Sequence, residues 1–280
     1  MTKRVAVIND LSGLGRCSLT AAIPVLSALG VQACPVPTAV LSAQTGFPGY
    51  RLQDLTDHMG DFLTHWQQLG MTFDGISTGF LSSVAQAEGV LRFLDAFPGS
   101  DTLILVDPVM GDDGAIYPGY GPELRQRVRR LVERAGVVTP NLTEACLLTG
   151  ADYASVAALE GPALFDAVAE LGRRIQAMGP GIAAITGVRR GEHIYNVILD
   201  REGRHLVGAP LLGGSYSGTG DLFAAVLHGC LLRGMQAAQA AELAVTFLSA
   251  ALADTLEAGT DRNHGVFFEA HMDLLTGASF

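Results

Sequence analysis

The residues best suited to chemistry lie in a glycine-rich stretch, residues 213–221, which ends in Asp221 and runs into the apolar segment 222–227. Glycines tolerate positive φ and have no Cβ, so such a loop can direct successive backbone N–H groups at a ligand. The N-terminus of the following helix would carry about half a unit of positive charge and favour an anion. Asp221 would stand there as a proton acceptor, which suits phosphoryl transfer. A buried helix with a glycine-rich entry would give the same pattern, so both interpretations stay open.

Lysine occurs once in the sequence, as Lys3, and no Gly-Lys pair exists, which excludes a Walker P-loop. A phosphate site in this chain must therefore use backbone amides, arginine or a metal ion. The same count argues against an enzyme with pyridoxal phosphate as its cofactor. That chemistry needs an internal lysine, and Lys3 lies at the start of the chain.

Several apolar runs have the pattern of strands buried on both faces, and each is followed by polar residues. The runs are residues 5–8, 103–106, 137–138 and 182–185, and residues 73–78, followed by Gly79 and Phe80, are predicted as a further strand. In an open parallel sheet the carboxyl ends of the strands lie along one edge. The polar residues expected to converge at that edge, together with the glycine loop, are Asn9, Asp10, Asp107, Thr139, Asn141 and Thr186. Ordinary capping of strand ends explains any one of them but explains the whole set less well.

The remaining periodicity predicts helices, short strands and one added hairpin. Helices are predicted at residues 19–29, 52–69, 84–97, 222–232 and 237–256, short strands at 31–36 and 39–42, and a hairpin with strands at 194–199 and 205–207. No linker or repeat interrupts the chain, so we predict one α/β domain over residues 1–280. The turn at residues 12–16 is similar to a dinucleotide-binding loop, but Ser18 replaces its third glycine, which argues against that function.

Composition excludes several classes of protein. The formal charge is −10 and no basic surface is clustered, which argues against nucleic acid or an anionic membrane as a partner. The arginine-rich segment 125–134 has helical spacing with glutamates interspersed, which indicates a solvated helix face. Four scattered cysteines predict neither a zinc site nor a disulfide framework and fit a reducing cytoplasm. No apolar stretch approaches the ~20 residues that span a bilayer, and the N-terminal run is too short for a signal peptide.

Three ordered motifs resemble those of the ribokinase superfamily and, within its vitamin kinase branch, of the pyridoxal kinase family. They are residues 107–112 (DPVMGD), residues 139–144 (TPNLTE) and residues 218–221 (GTGD). The resemblance covers essentially the whole chain. It implies a three-layer fold with a central, mostly parallel sheet and helices on both faces. It also implies transfer of the ATP γ-phosphate to a primary hydroxyl, with Mg²⁺ and, as a further ion, K⁺ as expected cofactors. Members are often dimers, so a cytoplasmic homodimer is expected.

Roles follow from this resemblance position by position. Asp221 resembles the catalytic base, and the amides of Gly218, Thr219 and Gly220 resemble the anion hole. The positions that resemble nucleotide contacts are Asp107, Asp112, Thr139, Asn141, Glu144, Thr186, Gly187 and Thr219, of which Asp107, Asp112 and Glu144 would organise magnesium. The positions expected to bind the vitamin are Asp10, Ser12, Thr45 and Phe80. Residues 112–119 match a mobile flap that excludes water.

Substrate identity is where the sequence departs from the family pattern. Pyridoxal kinases commonly carry serine where this chain has Asp10, and residues 10–13 instead resemble the first loop of the hydroxymethylpyrimidine kinases. Residues 43–45 favour the same relatives. Those kinases typically have cysteine in place of Asp221, so we favour a kinase that phosphorylates the 5′-hydroxymethyl group of a B6 vitamer. A hydroxymethylpyrimidine kinase of thiamin biosynthesis and a non-catalytic nucleotide- or vitamin-binding regulator remain alternatives.

Overall fold

The structure, a computed structural model, describes residues 2–97, 99 and 101–278. The first part of the chain alternates strands and helices. Its elements are β1 (Arg4–Ser12), α1 (Ser18–Ala28), β2 (Gln32–Leu41), β3 (Leu52–Asp54), α2 (Met59–Gln68), β4 (Gly75–Thr78), α3 (Val84–Ala96), β5 (Leu103–Val106), β6 (Gly111–Asp112), β7 (Ala115–Ile116) and α4 (Pro122–Val132). The second part contains β8 (Val137–Val138), α5 (Leu142–Thr149), α6 (Tyr153–Ala157), α7 (Gly161–Gln176), β9 (Ile182–Arg190), β10 (His193–Asp200), β11 (Gly203–Pro210), α8 (Thr219–Leu232), α9 (Ala237–Ala258) and α10 (Asp273–Thr276). Short 3₁₀ turns lie at Thr56–His58, Arg262–His264 and Glu269–His271.

Nine strands form one sheet in the order β11-β10-β9-β8-β5-β4-β1-β2-β3. All pairs from β9 through β8, β5, β4 and β1 to β2 are parallel, and β3, β10 and β11 are added antiparallel at the two edges. The order turns back on itself between β1 and β4. Ligands of open α/β sheets bind at such a point, outside the carboxyl ends of the strands.

Helices cover both faces of the sheet, which confirms the predicted three-layer fold. One core packs α2, α3, α4, α5 and α7 against the sheet, and the other packs α1, α8 and α9. The interior strand β1 shows why its sequence pattern predicted a buried strand. Residues 5–8 are at most 3% exposed because the two cores bury alternate side chains of the same strand. No helix among the described residues is long and apolar enough to cross a membrane.

The arginine-rich segment forms α4, with Leu124, Val128 and Leu131 buried on one face. Charged side chains on the other face and just after the helix are paired: Arg127 with Glu88, and Arg134 Nη1, beyond the last residue of α4, with Asp95 Oδ1 at 2.8 Å. The predicted solvated helix face is therefore confirmed. Paired surface charges of this kind contribute little to stability, roughly 0–1 kcal/mol each.

The prediction of one helix over residues 52–69 was wrong at its start. Residues 52–54 instead form the edge strand β3, paired with residues 39–41 of β2. The Asp54 side chain accepts the Thr56 backbone N–H at 2.7 Å, which makes a turn that competes with helix formation. The helix α2 therefore begins only at Met59.

The two short strands expected at residues 31–36 and 39–42 form one strand, β2. Pro35 and Pro37 lie inside it, opposite Val7 and Asn9 of β1. The strand tolerates them because β3 pairs only with residues 39–41, so the prolines need no donor on that side. The helix α8 also begins earlier than expected, at Thr219 rather than at residue 222. Its first turn therefore includes Gly220 and Asp221.

Candidate active site

A cavity of about 1210 Å³ opens at the carboxyl edge of the sheet. Every residue to which the family resemblance assigned a role lines it, and Asn9, also expected at this edge, donates a hydrogen bond to Asp221. The residues with assigned roles are Asp10, Ser12, Thr45, Phe80, Asp107, Asp112, Thr139, Asn141, Glu144, Thr186, Gly187, Gly218, Thr219, Gly220 and Asp221. The parallel strands bring together residues that lie up to 211 positions apart in the chain. The volume falls slightly above the usual range for small-molecule sites, roughly 300–1,000 Å³.

The glycine loop joins α8 at a position that only glycine can occupy. Gly218 is the N-cap with φ +83°, and a Cβ built there would lie 1.9 Å from the Arg16 carbonyl oxygen. This close approach fixes the direction of the first turn of a 14-residue helix. The first N–H groups of such a helix have no partner within it, so those of residues 218–220 are free to bind an anion.

Asp221 is the third residue of α8 and has two neighbouring donors. The Asn9 side-chain amide donates to its Oδ1 at 3.2 Å, and the Ser18 backbone N–H lies close enough to the carboxylate to lower its pKa. Burial raises the pKa of Asp221 to about 6, the Asp10 charge adds to the shift, and the two donors oppose it. A carboxylate with this pKa is ionised at neutral pH and is a stronger base than an ordinary aspartate.

Asp10 lies close enough to Asp221 for its charge to raise the pKa of that group, and it is only 5% exposed. The Ser12 hydroxyl donates to Asp10 Oδ2 at 3.0 Å, and the Ser18 hydroxyl donates to Oδ1 at 2.7 Å. Burial raises the pKa of Asp10, while both hydroxyl donors lower it. The two hydroxyls therefore hold the Asp10 carboxylate in a fixed orientation inside the cavity.

Ser18 links the two carboxylates and was not predicted as a site residue. Its backbone has φ +50°, a conformation that is uncommon for any residue except glycine. Strained residues of this kind persist where the surrounding structure holds them, often at functional sites. The sequence did carry a signal, because Ser18 stands where a glycine of a Gly-rich turn was expected.

Ser18→Gly and Ser18→Ala separate the two contributions of this residue. Both variants lose the hydroxyl bond to Asp10, and both keep the backbone N–H that reaches Asp221. Glycine also removes the positive-φ strain, so we expect Ser18→Gly to be more stable than Ser18→Ala by about 1 kcal/mol. Thermal unfolding of the two variants measures this difference, and equal stabilities would contradict the strain.

Three further carboxylates, those of Asp107, Asp112 and Glu144, line the cavity. Burial raises the pKa of Asp107, and the charge of Asp221 raises it further. Burial and Asp107 together raise the pKa of Glu144 well above its ordinary value. The Glu144 carboxylate accepts backbone N–H groups of Met110 at 3.0 Å and Asn141 at 2.8 Å. Burial and Asp113 raise the pKa of Asp112.

These groups suit a hydrated cation better than a dry metal cage. No group of three or more acidic, histidine or cysteine side chains among the described residues is arranged to hold a metal ion. The acids therefore do not form a preformed three-carboxylate site. The buried Thr139 Oγ1 makes no hydrogen bond of normal geometry among the described residues, although it lies close enough to Asp107 to lower its pKa. Carboxylates without a full cage, beside an unsatisfied hydroxyl, fit Mg²⁺, which keeps several waters and is held partly by phosphates.

The predicted flap is a short hairpin, β6–β7, tied to the N-terminus of α5. The Asn141 side-chain amide donates to the Gly111 carbonyl at 2.8 Å, and the Gly114 N–H donates to the Thr143 hydroxyl at 2.9 Å. Asn141 and Glu144 also form the capping box of α5. The predicted nucleotide positions continue into β9, where the Thr186 N–H donates to the Pro140 carbonyl at 2.8 Å.

One contact near the residues predicted to bind the vitamin is not indicated by any pattern in the sequence. The loop holding Thr45 is fastened to the 3₁₀ turn Arg262–His264 near the end of the chain. The Gln44 side-chain amide donates to Asn263 Oδ1 at 3.0 Å, and the Asn263 amide donates to the Gly46 carbonyl at 3.1 Å. Phe80 lies across the cavity with its ring centroid 6.0 Å from that of Tyr120.

Comparison with known proteins gives relatives that match most of this chain. The phosphomethylpyrimidine kinase family model matches residues 15–266. The pyridoxal kinase PdxY of Rubrobacter xylanophilus is 32% identical over 265 residues, which are 90% of this chain and 87% of that protein. The structure of pyridoxal kinase from Lactobacillus plantarum superposes with a TM-score of 0.89 at 32% identity and covers 99% of this chain and 98% of that one.

A candidate phosphomethylpyrimidine kinase of Bacteroides thetaiotaomicron superposes with a TM-score of 0.93 at 36% identity, covering 100% of this chain and 95% of that one. An orthorhombic crystal form of that protein contains pyridoxal and superposes with a TM-score of 0.91, covering 98% and 96% of the two chains. The matches extend over nearly the full length of each protein. The chain therefore belongs to the pyridoxal kinase family of ribokinase-like phosphotransferases, as its three motifs predicted.

Proposed function

We propose that this protein transfers the γ-phosphate of ATP to the 5′-hydroxymethyl group of a B6 vitamer. The observation that carries the proposal is the placement of Asp221, a half-buried carboxylate whose pKa is raised to about 6, in the first turn of α8. It lies directly beside free helix amides and faces a cavity large enough for both substrates. The pyridoxal kinases among the relatives, and the pyridoxal bound to the Bacteroides protein, support the choice of vitamer.

In the proposed reaction Asp221 accepts the proton of the substrate hydroxyl as its oxygen attacks the γ-phosphorus. The bond from phosphorus to the β–γ bridging oxygen breaks, and ADP leaves. The amides of Gly218, Thr219 and Gly220 stabilise the charge on the transferred phosphoryl group. Such a transition state needs mainly alignment and charge stabilisation, which helix amides supply without a lysine.

The nucleotide would lie against the part of the cavity wall that Asp107, Asp112 and Glu144 form. Asp107, Asp112 and Glu144 would hold hydrated Mg²⁺, which would neutralise charge on the phosphates. Because both Glu144 oxygens already accept backbone N–H groups, this side chain would act through a bound water. Thr139, Asn141, Thr186 and Gly187 would contact the nucleotide, and the β6–β7 hairpin would shield the reacting groups from water.

The vitamin would bind between the residues 44–46 loop and Phe80, with Thr45, Ser12 and Asp10 facing its polar groups. An ionised Asp10 only accepts hydrogen bonds, so it favours a substrate with an N–H donor or an amine.

Asp10→Ser is therefore expected to lower kcat/KM for pyridoxamine relative to that for pyridoxal by roughly tenfold, the effect of one charge-assisted bond. Vitamer-by-vitamer kinetics measure this ratio, and an unchanged ratio would remove the idea.

A hydroxymethylpyrimidine kinase of thiamin biosynthesis is the second candidate. The loop at residues 10–13 and the matching family model favour it. Asp221 favours the B6 vitamer. The hydroxymethylpyrimidine kinases, which the loop at residues 10–13 resembles, typically have cysteine at the position of Asp221. Both candidates use the same base, anion hole and nucleotide site, so only the acceptor alcohol separates them.

The deciding experiment measures ATP consumption by the purified protein with Mg²⁺ and K⁺. Pyridoxal, pyridoxamine, pyridoxine and hydroxymethylpyrimidine are compared, with Asp221→Ala as the inactive control. We expect turnover of the B6 vitamers that disappears in the control. Turnover of the pyrimidine alone would establish the second candidate. No turnover of any alcohol by a folded, ATP-binding protein would favour a non-catalytic regulator.

A further inference from the structure

The cavity is rich in carboxylates and poor in cations for a site that would hold a nucleotide triphosphate. Among the described residues that line it, six side chains are acidic and two are arginines, Arg189 and Arg262. The single lysine does not supply a positive charge to this cavity. Lys3 precedes β1, at the opposite edge of the sheet, where its Nζ pairs with Asp74 Oδ1 at 2.8 Å.

The two cavity arginines differ in what they already bind. Arg189 Nη1 lies 3.8 Å from Asp113 Oδ1 on the β6–β7 hairpin, so its charge is partly neutralised. Arg262 has no carboxylate within 4.0 Å in the part of the chain that the structure describes. Its Nη2 lies 3.4 Å from the Ser215 hydroxyl oxygen, at the edge of the glycine loop.

The backbone of Arg262 is fixed next to the anion hole. Its carbonyl accepts the Ser217 N–H at 3.2 Å, one residue before Gly218. The Asp261 side chain caps the turn through the Asn263 N–H at 2.8 Å, and Gln44 holds Asn263 from the other side. Burial and neighbouring carboxylates raise the pKa of Asp112 and of Tyr117, and the Arg262 guanidinium lies close enough to oppose both shifts. Arg262 therefore lies between the glycine loop and the hairpin.

We propose that the Arg262 guanidinium binds the terminal phosphates of the nucleotide and supplies the side-chain cation of this site. The proposal rests on the proposed function, in which those phosphates lie between the anion hole and the hairpin. A planar guanidinium can bind two phosphate oxygens at once, and charge-assisted bonds of this kind are strong. Its position at the edge of the glycine loop would place it beside the phosphoryl group that is transferred.

The test is isothermal titration of the full-length protein with ATP and, separately, with AMP, both in the presence of Mg²⁺. We expect Arg262→Gln to weaken ATP binding by about 10- to 100-fold, as expected for loss of one or two charge-assisted bonds. AMP binding should not change, because AMP lacks the terminal phosphates. Arg262→Lys should retain part of the ATP affinity. Arg173→Ala, which removes an exposed arginine paired with Glu170 on α7, is the control.

Steady-state kinetics distinguish phosphate binding from a purely structural role. The turn that carries Arg262 also holds the residues 44–46 loop, so a structural defect would raise KM for the vitamer. Loss of a phosphate contact raises KM for ATP and lowers kcat, and leaves KM for the vitamer unchanged. Unchanged ATP affinity in Arg262→Gln, or equal loss of AMP and ATP affinity, would overturn the proposal. If the wild type binds ATP but phosphorylates no vitamer, the proposed function fails, while the two titrations still decide the role of Arg262.

Discussion

Replacement of Asp221 by asparagine is expected to lower kcat by about 10²- to 10⁴-fold, the usual contribution of a positioned general base. Asparagine has nearly the same shape, and its carbonyl oxygen can still accept from Asn9 or the Ser18 N–H. It cannot accept the substrate proton. Rates of ATP-dependent phosphorylation of a B6 vitamer at pH 8 measure the effect. Asp166→Asn, an exposed carboxylate paired with Arg204, is the matched control and should keep wild-type kcat.

The pH dependence follows from the same carboxylate. The base must be ionised, and burial raises its pKa to about 6, so kcat/KM should fall about tenfold per pH unit below pH 6 and level off above it. The residual activity of Asp221→Asn should lack this acidic limb. If the variant keeps the limb, another group is the base.

Stability should respond to this carboxylate with a definite sign. The folded-state pKa of Asp221 lies above the ordinary aspartate value of 3.8, so the folded protein binds this proton more tightly than the unfolded chain does. Its contribution to the free energy of unfolding is therefore present at low pH and is lost as pH rises from about 4 to 6. Asp221→Asn should not show this loss, because its side chain does not titrate.

The fold and most of the site were predictable because one physical rule places them. Parallel strands buried on both faces are continuous apolar runs, and their carboxyl ends share one edge. Asp107 and Thr139 follow two such runs directly, and Asp10 extends a third. Only the order of the strands in the sheet is therefore needed to predict that these residues converge with the glycine loop before α8. The same rule gave the correct layers, because helices must cover both faces of a parallel sheet.

Other features depend on tertiary contacts that leave no local pattern. The strand β3 forms because β2 offers a free edge, and its sequence alone favours a helix. Ser18 adopts positive φ because its N–H and hydroxyl are both held, by Asp221 and Asp10. Arg262 reaches the cavity only because Asn263 is bound by Gln44, 219 residues away in the chain. In each case a partner distant in sequence decides the structure, so propensity and periodicity cannot report it.

Replacement of Gly218 by alanine is expected to impair both stability and phosphoryl transfer. The backbone has φ +83°, and the new methyl group would lie 1.9 Å from the Arg16 carbonyl oxygen, so the loop or the residues before α1 must move. The left-handed conformation alone costs alanine about 1–2 kcal/mol, and the clash adds to that cost. Displacement of even one amide of the anion hole should lower kcat by about 10²- to 10³-fold. Calorimetric unfolding and steady-state kinetics measure the two effects.

Gly214→Ala is the matched control, since it adds the same methyl group to the same loop. A Cβ there meets no atom within 4 Å, and the residue does not have positive φ. We expect its stability to stay within about 0.5 kcal/mol of the wild type, with little change in kcat. If Gly218→Ala behaved like this control, the close approach to Arg16 would not be what shapes the anion hole. Loss of activity in Gly218→Ala alone would show that the N-cap glycine sets the direction of the amides, because both variants have the same composition.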